Sequence, residues 1–313
     1  MPFFSVLGER AIHDSIDHIL NERVVIARMA ASEIDGFLPH VFTELTDANR
    51  IADFDPADAD LSVEANIMSH IQRELGPLAS SILFLDSAGR VVLASPPGSY
   101  DPGADLSSLP FAQQSLTQSE FSISEPFFDP VSNRPVAAAS VPVFMDGRLA
   151  GALIGLIDLN GEEVMAPLER GASLGNTGHA TLVGPKGVSL AATIDIPLLT
   201  GVEHPDFYPK ALAEGQPAIS ATQFALENIA GETYQETHIM AFAPLSTVPW
   251  GIAIGGDEED TFAPVKRLRA SLILLSIIAL AGIWTVTMGG TRRLIKPIQQ
   301  LTAAAQRIAR GNL

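Results

Sequence analysis

An uncharged segment of 22 residues, ASLILLSIIALAGIWTVTMGGT, lies between Arg269 and Arg292 and constrains the whole chain. At a rise of 1.5 Å per residue, a helix of this length crosses the roughly 30 Å hydrocarbon core of a bilayer. The alternative is a helix buried in the core of a soluble domain. Basic residues bracket both ends and the segment has no polar face, so the sequence predicts a transmembrane helix over residues 270–291.

The charges of the chain divide sharply at residue 265. All 36 acidic residues precede this point together with 11 basic residues, whereas residues 266–313 contain 8 basic residues and no acidic one. Five of these bases follow the apolar segment and three precede it, which places the tail on the cytoplasmic side and residues 1–265 outside. A nucleic-acid partner is not expected, because the acidic part repels phosphates.

The first eight residues, MPFFSVLG, are too short for a signal peptide or a membrane span. A domain outside the membrane needs one or the other, so we expect that an upstream membrane helix is missing here. The alternative is that residues 1–265 face the cytoplasm. The chain contains no cysteine, which excludes disulfides, thiolate zinc sites and thiol catalysis.

Residues 10–46 have the pattern of one long helix, in which a stripe of positions recurs at intervals of three and four. The stripe consists of Ile12, Ile16, Ile19, Arg23, Ala27, Ala30, Ile34, Phe37 and Val41. It predicts a helix that packs on its own domain, a dimer seam, or both for different stretches. Pro39 is expected to kink or end the regular part.

Two segments of about 100 residues repeat one pattern of apolar strands and glycine turns. LFLDSAGRVVLAS (83–95) matches TLVGPKGVSLAAT (181–193), and AGALIGL (150–156) matches WGIAIGG (250–256). Asp146-Gly147 is a hairpin turn between apolar strands. Two matches in the same order predict two copies of one antiparallel-sheet unit, each with a partly helical stretch, at 109–119 and 205–214.

Four segments resemble the double Cache sensor family, over roughly residues 10–262. They are ILNERVVIARMAASEIDGFL, FAQQSLTQSEFSISEPFFD, RPVAAASVPVFMDGRLAGALIGLIDL and LGNTGHATLVGPKG. The resemblance implies two PAS-like modules on a long N-terminal helix, with the ligand in the membrane-distal module.

The last helix resembles the first helix of a HAMP relay domain. Leu294, Ile298, Leu301, Ala305 and Ile308 form a narrow coiled-coil seam, with Pro297 in the first turn and Gly311 at the end. The resemblance implies a parallel homodimer and an output domain outside this chain.

The sequence contains no nucleophile elbow, no phosphate-binding loop and no metalloprotease motif. His204, Asp206 and His238 are the residues with which a metal site is conceivable, but they are interpreted as surface loop residues. We therefore expect no enzyme activity, no metal and no cofactor. The alternatives are a membrane-anchored extracytoplasmic hydrolase and a purely structural interaction domain.

The resemblance directs attention to a ligand pocket in the first module. Amino-acid-binding members carry Arg-x-Trp-Tyr before the module's helix, where this sequence has SLPF at 108–111, which speaks against an amino-acid ligand. Asp129 and Asp158 fall near the acidic positions of the family, and this pair favours a ligand with a cationic or donor group. Tyr100, Phe111 and Phe127 are candidate apolar walls.

We therefore expect an α+β receptor fragment of five parts in the cell membrane. The predicted parts are a stalk helix (1–46), a membrane-distal Cache module (47–165), a membrane-proximal module (166–265), the transmembrane helix (270–291) and a HAMP start (292–313). The expected partners are a small-molecule ligand, membrane lipid and a second copy of the chain. The expected function is extracytoplasmic ligand sensing.

Overall fold

A computed structural model describes residues 2–50, 60–118, 120–224 and 236–309, with backbone alone for residues 2–11, 13, 49 and 291–309. The chain forms two compact units, of which one is His18–Thr261 and the other combines Met1–Asp17 with Phe262–Leu313. The helices are α1 (Pro2–Asn49), α2 (Ser62–Leu75), α3 (Pro110–Thr117), α4 (Glu162–Ala172), α5 (Tyr208–Glu214), α6 (Glu258–Thr261) and α7 (Ala263–Ala309).

The described residues form eleven strands in two antiparallel sheets. The strands are β1 (Ala79–Asp86), β2 (Val91–Ser95), β3 (Ser122–Ile123), β4 (Phe127–Phe128), β5 (Pro135–Met145), β6 (Arg148–Asp158), β7 (His179–Val183), β8 (Ser189–Ala192), β9 (Ala218–Phe224), β10 (Glu236–Pro244) and β11 (Gly251–Asp257). The α+β class and the two-sheet architecture that the sequence predicted are confirmed.

Helix α1 packs on its own domain along the second half of the predicted stripe. Ala27, Ile34 and Val41 have at most 2% of their surface exposed, so this stretch of the stripe belongs to the core. The helix does not end at Pro39 but continues to Asn49. A dimer seam formed by the earlier residues of the stripe stays a prediction.

The two sheets repeat one topology. The first has the strand order β2-β1-β6-β5-β3, with β4 also paired to β5, and the second has the order β8-β7-β11-β10-β9. Gly151 and Gly251 occupy equivalent positions in β6 and β11, and the turn glycines Gly89 and Gly187 have φ of 81° and 83°. The internal repeat predicted from the glycine spacing is therefore present in the fold.

Alternation of side chains along the strands gives each sheet an inner and an outer face. The inner faces form one core with α1, α2 and α4. The outer face of the first sheet is covered by α3 and that of the second by α5, each with a smaller apolar cluster. These two outer faces hold the candidate sites.

Helix α7 has the length and composition of a membrane span over Ala263–Gly290, with a mean hydropathy of 2.2 in its most apolar window. Leu274, Ile278 and Trp284 are each about 60% exposed, and none of that window is buried within the described residues. The alternative of a buried core helix is therefore wrong. The predicted HAMP seam lies beyond the residues whose side chains are described, so it stays a prediction.

Candidate functional site

A pocket of about 360 Å³ lies between α3 and the segment that joins β3 to β4. Phe111 and Phe127 form one wall, and their stacked rings have centroids 4.6 Å apart. Gln114, Ser124 and Glu125 supply the polar part of the lining. Pro110 in the first turn of α3 fixes the start of the helix that carries Phe111.

Asp129 holds the turn between β4 and β5, on the same side of the sheet. Its carboxylate accepts hydrogen bonds from the buried Tyr100 hydroxyl, from Ser132 N at 2.9 Å and from Ser132 Oγ at 2.5 Å. Burial alone would raise the pKa of Asp129, but these hydrogen bonds hold it below its ordinary value. Burial and the neighbouring Asp129 carboxylate raise the pKa of Tyr100, so the hydroxyl remains a donor.

Asp158 ends β6 and is 3% exposed. Its Oδ2 lies 2.5 Å from Arg134 Nη1, and its Oδ1 accepts a hydrogen bond from Asn160 N at 3.0 Å. Burial raises the pKa of Asp158, although Asn160 and Arg134 oppose this shift. Arg134 is the only oppositely charged partner of Asp158 among the described residues. Its guanidinium is half exposed and therefore open to exchange with solvent.

The structure brings the five residues predicted from the sequence to one face of the first sheet. Val136 lies opposite both Phe127 and Asp158 in the sheet register, which places these two residues about 10 Å apart. Tyr100 and Phe111 belong to the cluster on this face, and Phe127 packs against it.

A larger groove of about 710 Å³ lies beside α5 in the second module. Its lining consists mainly of prolines and small turn residues, and Lys186 is the one charged side chain among the described residues that line it. Ligand sites combine apolar walls with a few convergent polar groups. The smaller pocket, with its stacked rings and with Gln114 and Glu125 in its lining, fits this description better.

The outer face of the second sheet buries a cluster of ionisable side chains. His179 is on β7, His238 is on β10, and Glu203 and His204 lie in the segment that joins β8 to α5. All four are at most 5% exposed. His179 pairs with Gly255, which pairs with Met240, and His238 lies two residues from Met240. The side chains of His179 and His238 therefore point to the same side of the sheet.

Glu203 is at the centre of this cluster. Its Oε2 accepts hydrogen bonds from Thr181 Oγ1 at 2.7 Å and from the Tyr208 hydroxyl at 3.1 Å. Its Oε1 lies 2.9 Å from His179 Nε2 and 3.8 Å from His204 Nε2. Burial alone would raise the pKa of Glu203, but His179 and the other donors lower it to about 2, so the carboxylate is ionised.

Each of the three imidazoles is held through the ring nitrogen that points away from the centre. These pairs are His179 Nδ1 with Thr177 O at 3.3 Å, His204 Nδ1 with Gln223 O at 3.0 Å and His238 Nε2 with Asp257 Oδ1 at 3.0 Å. Because a carbonyl or carboxylate oxygen only accepts, each of these nitrogens carries the proton in the neutral ring.

The inward nitrogens His179 Nε2, His204 Nε2 and His238 Nδ1 are buried, as is Glu203 Oε1. His204 Nε2 and His238 Nδ1 have no hydrogen bond to any described residue, and the 2.9 Å approach of His179 Nε2 to Glu203 Oε1 is an ion pair without the geometry of a good hydrogen bond. Each buried polar atom without a hydrogen bond lowers the stability of the fold by about 1–3 kcal/mol, so a group of such atoms requires an explanation.

The electrostatics of the cluster keep two of its histidines neutral. Burial lowers the pKa of His204 and that of His238 to about 4. Burial also disfavours charge on His179, but the adjacent Glu203 carboxylate outweighs it and raises the pKa of His179. The cluster therefore presents one carboxylate and at least two imidazoles with free lone pairs at neutral pH.

Residues 8–265 match the Cache domain family. The chain belongs to this family. Methyl-accepting chemotaxis protein PctB of Pseudomonas aeruginosa is 24% identical to this Cache chain over 218 residues, which is 69% of the chain and 32% of PctB. The chain therefore spans about a third of the length of this curated relative.

Two solved ligand-binding domains share the fold of this Cache chain. The domain of PctB from P. aeruginosa PAO1, in complex with L-Arg, has a TM-score of 0.58 at 18% identity and is covered over 98% of its length by 80% of this chain. The domain of Pseudomonas fluorescens chemoreceptor CtaA, in complex with L-leucine, has a TM-score of 0.55 at 19% identity. It is covered over 99% of its length by 81% of this chain.

The interpretation of His204 and His238 as surface loop residues is wrong, because both are buried and face each other with ring centroids 5.3 Å apart. Asp206 is exposed and is absent from the cluster. Sequence analysis overlooked His179 and Glu203. The available signal was weak: His179 begins an apolar strand of the Cache repeat, and Glu203 precedes one of the histidines.

Proposed function

We propose that this Cache chain is the sensing part of a membrane receptor and binds a small organic ligand in the pocket of its first module. The observation that carries this proposal is the 360 Å³ pocket with the stacked Phe111 and Phe127 rings. The similarity to ligand-binding domains solved with L-Arg and with L-leucine supports a role in sensing.

The pocket favours a ligand with an apolar body and one cationic or donor group. The aromatic rings accept an apolar body and attract a cation to their faces. The Glu125 carboxylate lies in the lining, and Asp158 lies on the same face of the sheet. A ligand ammonium group would replace the half-exposed Arg134 guanidinium at Asp158, because a buried carboxylate requires a partner.

Thermal melting of the full chain in detergent tests this proposal with a panel of amines, amino acids, organic acids, purines and sugars. At a hundredfold excess over Kd, binding stabilises the folded state by about 2.7 kcal/mol. For a domain of this size, the expected rise in Tm is about 5–10 °C. Fluorescence titration of any hit then gives its Kd.

Asp158→Asn is expected to abolish the ligand-induced rise in Tm, because it removes the charge and preserves the shape. The matched control is Asp206→Asn, which changes an exposed aspartate of the second module. A rise that survives Asp158→Asn, or one that disappears in the Asp206→Asn variant, would show that the ligand binds elsewhere.

We further propose that α7 crosses the membrane and that residues 292–313 begin a HAMP relay in a parallel homodimer, with the output domain outside this chain. The support is the exposed apolar surface of α7 and the predicted seam. In this cysteine-free background, Cys introduced at Ile298 or Leu301 is expected to crosslink more than Cys at Gln299. Equal yields at the three positions would argue against the seam.

A further inference from the structure

The buried cluster of His179, Glu203, His204 and His238, called here the histidine cluster, lies in the second module, outside the pocket of the first. Three imidazole nitrogens and one carboxylate oxygen, from three separate parts of the chain, converge there. Each of these four atoms is buried without a hydrogen bond of good geometry to a described residue. The proposed sensing of an organic ligand in the first module makes no use of these atoms.

An ion pair between Glu203 and a protonated His179 accounts for only half of this arrangement. It pairs His179 Nε2 with Glu203 Oε1 at 2.9 Å, while Thr181 and Tyr208 satisfy the other carboxylate oxygen. The lone pairs of His204 Nε2 and His238 Nδ1 still face the centre of the cluster. A cation at that centre would use all four atoms at once.

The hydrogen bonds on the far side of the rings have the form that metal sites use. Metal-ligating histidines nearly always donate their other ring N–H to a carbonyl or carboxylate, which fixes the tautomer and the direction of the ring. All three imidazoles of the histidine cluster have such a partner: Thr177 O, Gln223 O and the Asp257 carboxylate.

We propose that the histidine cluster binds one divalent transition-metal cation through His179 Nε2, His204 Nε2, His238 Nδ1 and a carboxylate oxygen of Glu203. Three imidazoles and one carboxylate are a ligand set that Zn²⁺ accepts in tetrahedral geometry. Imidazole nitrogen favours Zn²⁺, Ni²⁺, Co²⁺ or Cu²⁺, whereas Ca²⁺ and Mg²⁺ require oxygen ligands.

The separations between the donors suit a cation of this size. With bonds of about 2.0–2.1 Å, tetrahedral ligand atoms lie about 3.3 Å apart and imidazole centroids about 5 Å apart. The distances from Glu203 Oε1 to His179 Nε2 and His204 Nε2 are 2.9 and 3.8 Å, and one ring nitrogen from each of the three histidines lies within 4.8 Å of the other two. The ring centroids are separated by 4.9, 5.3 and 6.2 Å, so rotations of the side chains within the cluster complete the geometry.

The position of the site suggests how occupancy would affect the module. The metal would join β10 to β7 and to the segment before α5, which the bond from Thr181 to Glu203 already links to each other. Asp257, which holds His238, is the last residue of β11 and directly precedes α6 and α7 in the sequence. A bound cation would therefore stiffen the part of the sheet from which the predicted span continues.

Metal content of the full chain, purified in detergent without a polyhistidine tag, tests this proposal. The chain is stripped with a chelator, equilibrated with Zn²⁺ and dialysed, and the metal is measured by mass spectrometry. Competition with a chromophoric chelator gives the Kd. We expect one Zn²⁺ per chain, no comparable binding of Ca²⁺ or Mg²⁺, and an intense visible spectrum after loading with Co²⁺.

Variants then assign the ligands. Glu203→Gln and His204→Gln are expected to abolish stoichiometric binding. Asp257→Asn is expected to weaken it about 10- to 100-fold, because this residue orients a ligand without touching the metal. The matched control is His70→Gln, an exposed histidine of α2, which is expected to leave the Kd unchanged.

Zn²⁺ binding far below one equivalent by the wild-type chain would overturn the proposal, as would an unchanged Kd in the His204→Gln variant. If the two ligand variants fail to fold, the variant of the half-buried Asp257 provides the test. An unchanged Kd for Zn²⁺ in Asp257→Asn would then reject the site. Ligand-induced melting through Asp158 is independent of these outcomes, so the two proposals fail separately.

Discussion

Removal of the Asp35 carboxylate is expected to detach α1 from the second module at one defined point. Asp35 Oδ2 accepts hydrogen bonds from Ser246 N at 2.6 Å and from Ser246 Oγ at 2.9 Å, and Oδ1 accepts one from Thr247 N at 3.0 Å. Ser246 and Thr247 belong to the turn between β10 and β11. One side chain of the long helix therefore fixes the hairpin that leads into α6 and α7.

The cost of Asp35→Ala follows from these three bonds. Hydrogen bonds to a charged group contribute about 1.5–3 kcal/mol each when buried. Ser246 is exposed and Thr247 is half-buried, so water replaces much of what the carboxylate supplies. We therefore expect a net loss of about 1–2 kcal/mol, which lowers Tm by about 2–8 °C for a domain of this size.

The pH dependence of this loss distinguishes the carboxylate from a packing effect. Burial alone would raise the pKa of Asp35, but the hydrogen bonds from Ser246 and Thr247 lower it below its ordinary value. A group with a depressed folded pKa contributes stability that is present above its unfolded pKa of about 3.9 and disappears as pH falls through the folded pKa. The difference between wild type and variant should be constant near neutral pH and shrink in strong acid.

Thermal melting of the full chain by circular dichroism, repeated across this pH range, measures the effect. Asp17→Ala removes an exposed acid of the same helix and serves as the control, for which little change in Tm is expected. An equal loss in both variants would refute the assignment of the effect to the β10–β11 turn. A difference that persists undiminished in strong acid would refute the role of the charge.

Two further predictions concern the glycines and the topology. Gly36→Ala, in an open position of α1, should raise the free energy of unfolding in chemical denaturation by about 0.5–1 kcal/mol. Gly151→Ala should lower it, because the new Cβ collides with the Leu85 carbonyl oxygen. Equal effects of the two substitutions would contradict this account. Cys placed at Ser87 should react with an impermeant thiol reagent in intact cells and Cys at Ala303 should not, and the reverse pattern would invert the proposed orientation.

The sequence alone was enough for the arrangement of helices and sheets, because that arrangement is set by local patterns. Asp146 and Gly147 both have positive φ, so the hairpin between β5 and β6 followed from the turn residues that such a loop requires. The stripe in α1 and the glycine spacing of the repeat are likewise local signals. The helix over residues 10–46 was predicted, but its continuation through Pro39 was not, because packing against two sheets outweighs the loss of one backbone donor there.

The chemistry of the second module was decided by the tertiary structure. His179, Glu203 and His238 are distant in sequence and have no motif spacing. The register of β7, β11 and β10 places His179 and His238 on one face, and the segment between β8 and α5 brings Glu203 to them. The same holds in the first module, where the bond of Tyr100 to Asp129 and the pairing of Asp158 with Arg134 depend on contacts between separate segments. Composition and spacing determine which residues a face can hold, but burial and long-range register determine which of them become partners and which retain a free lone pair.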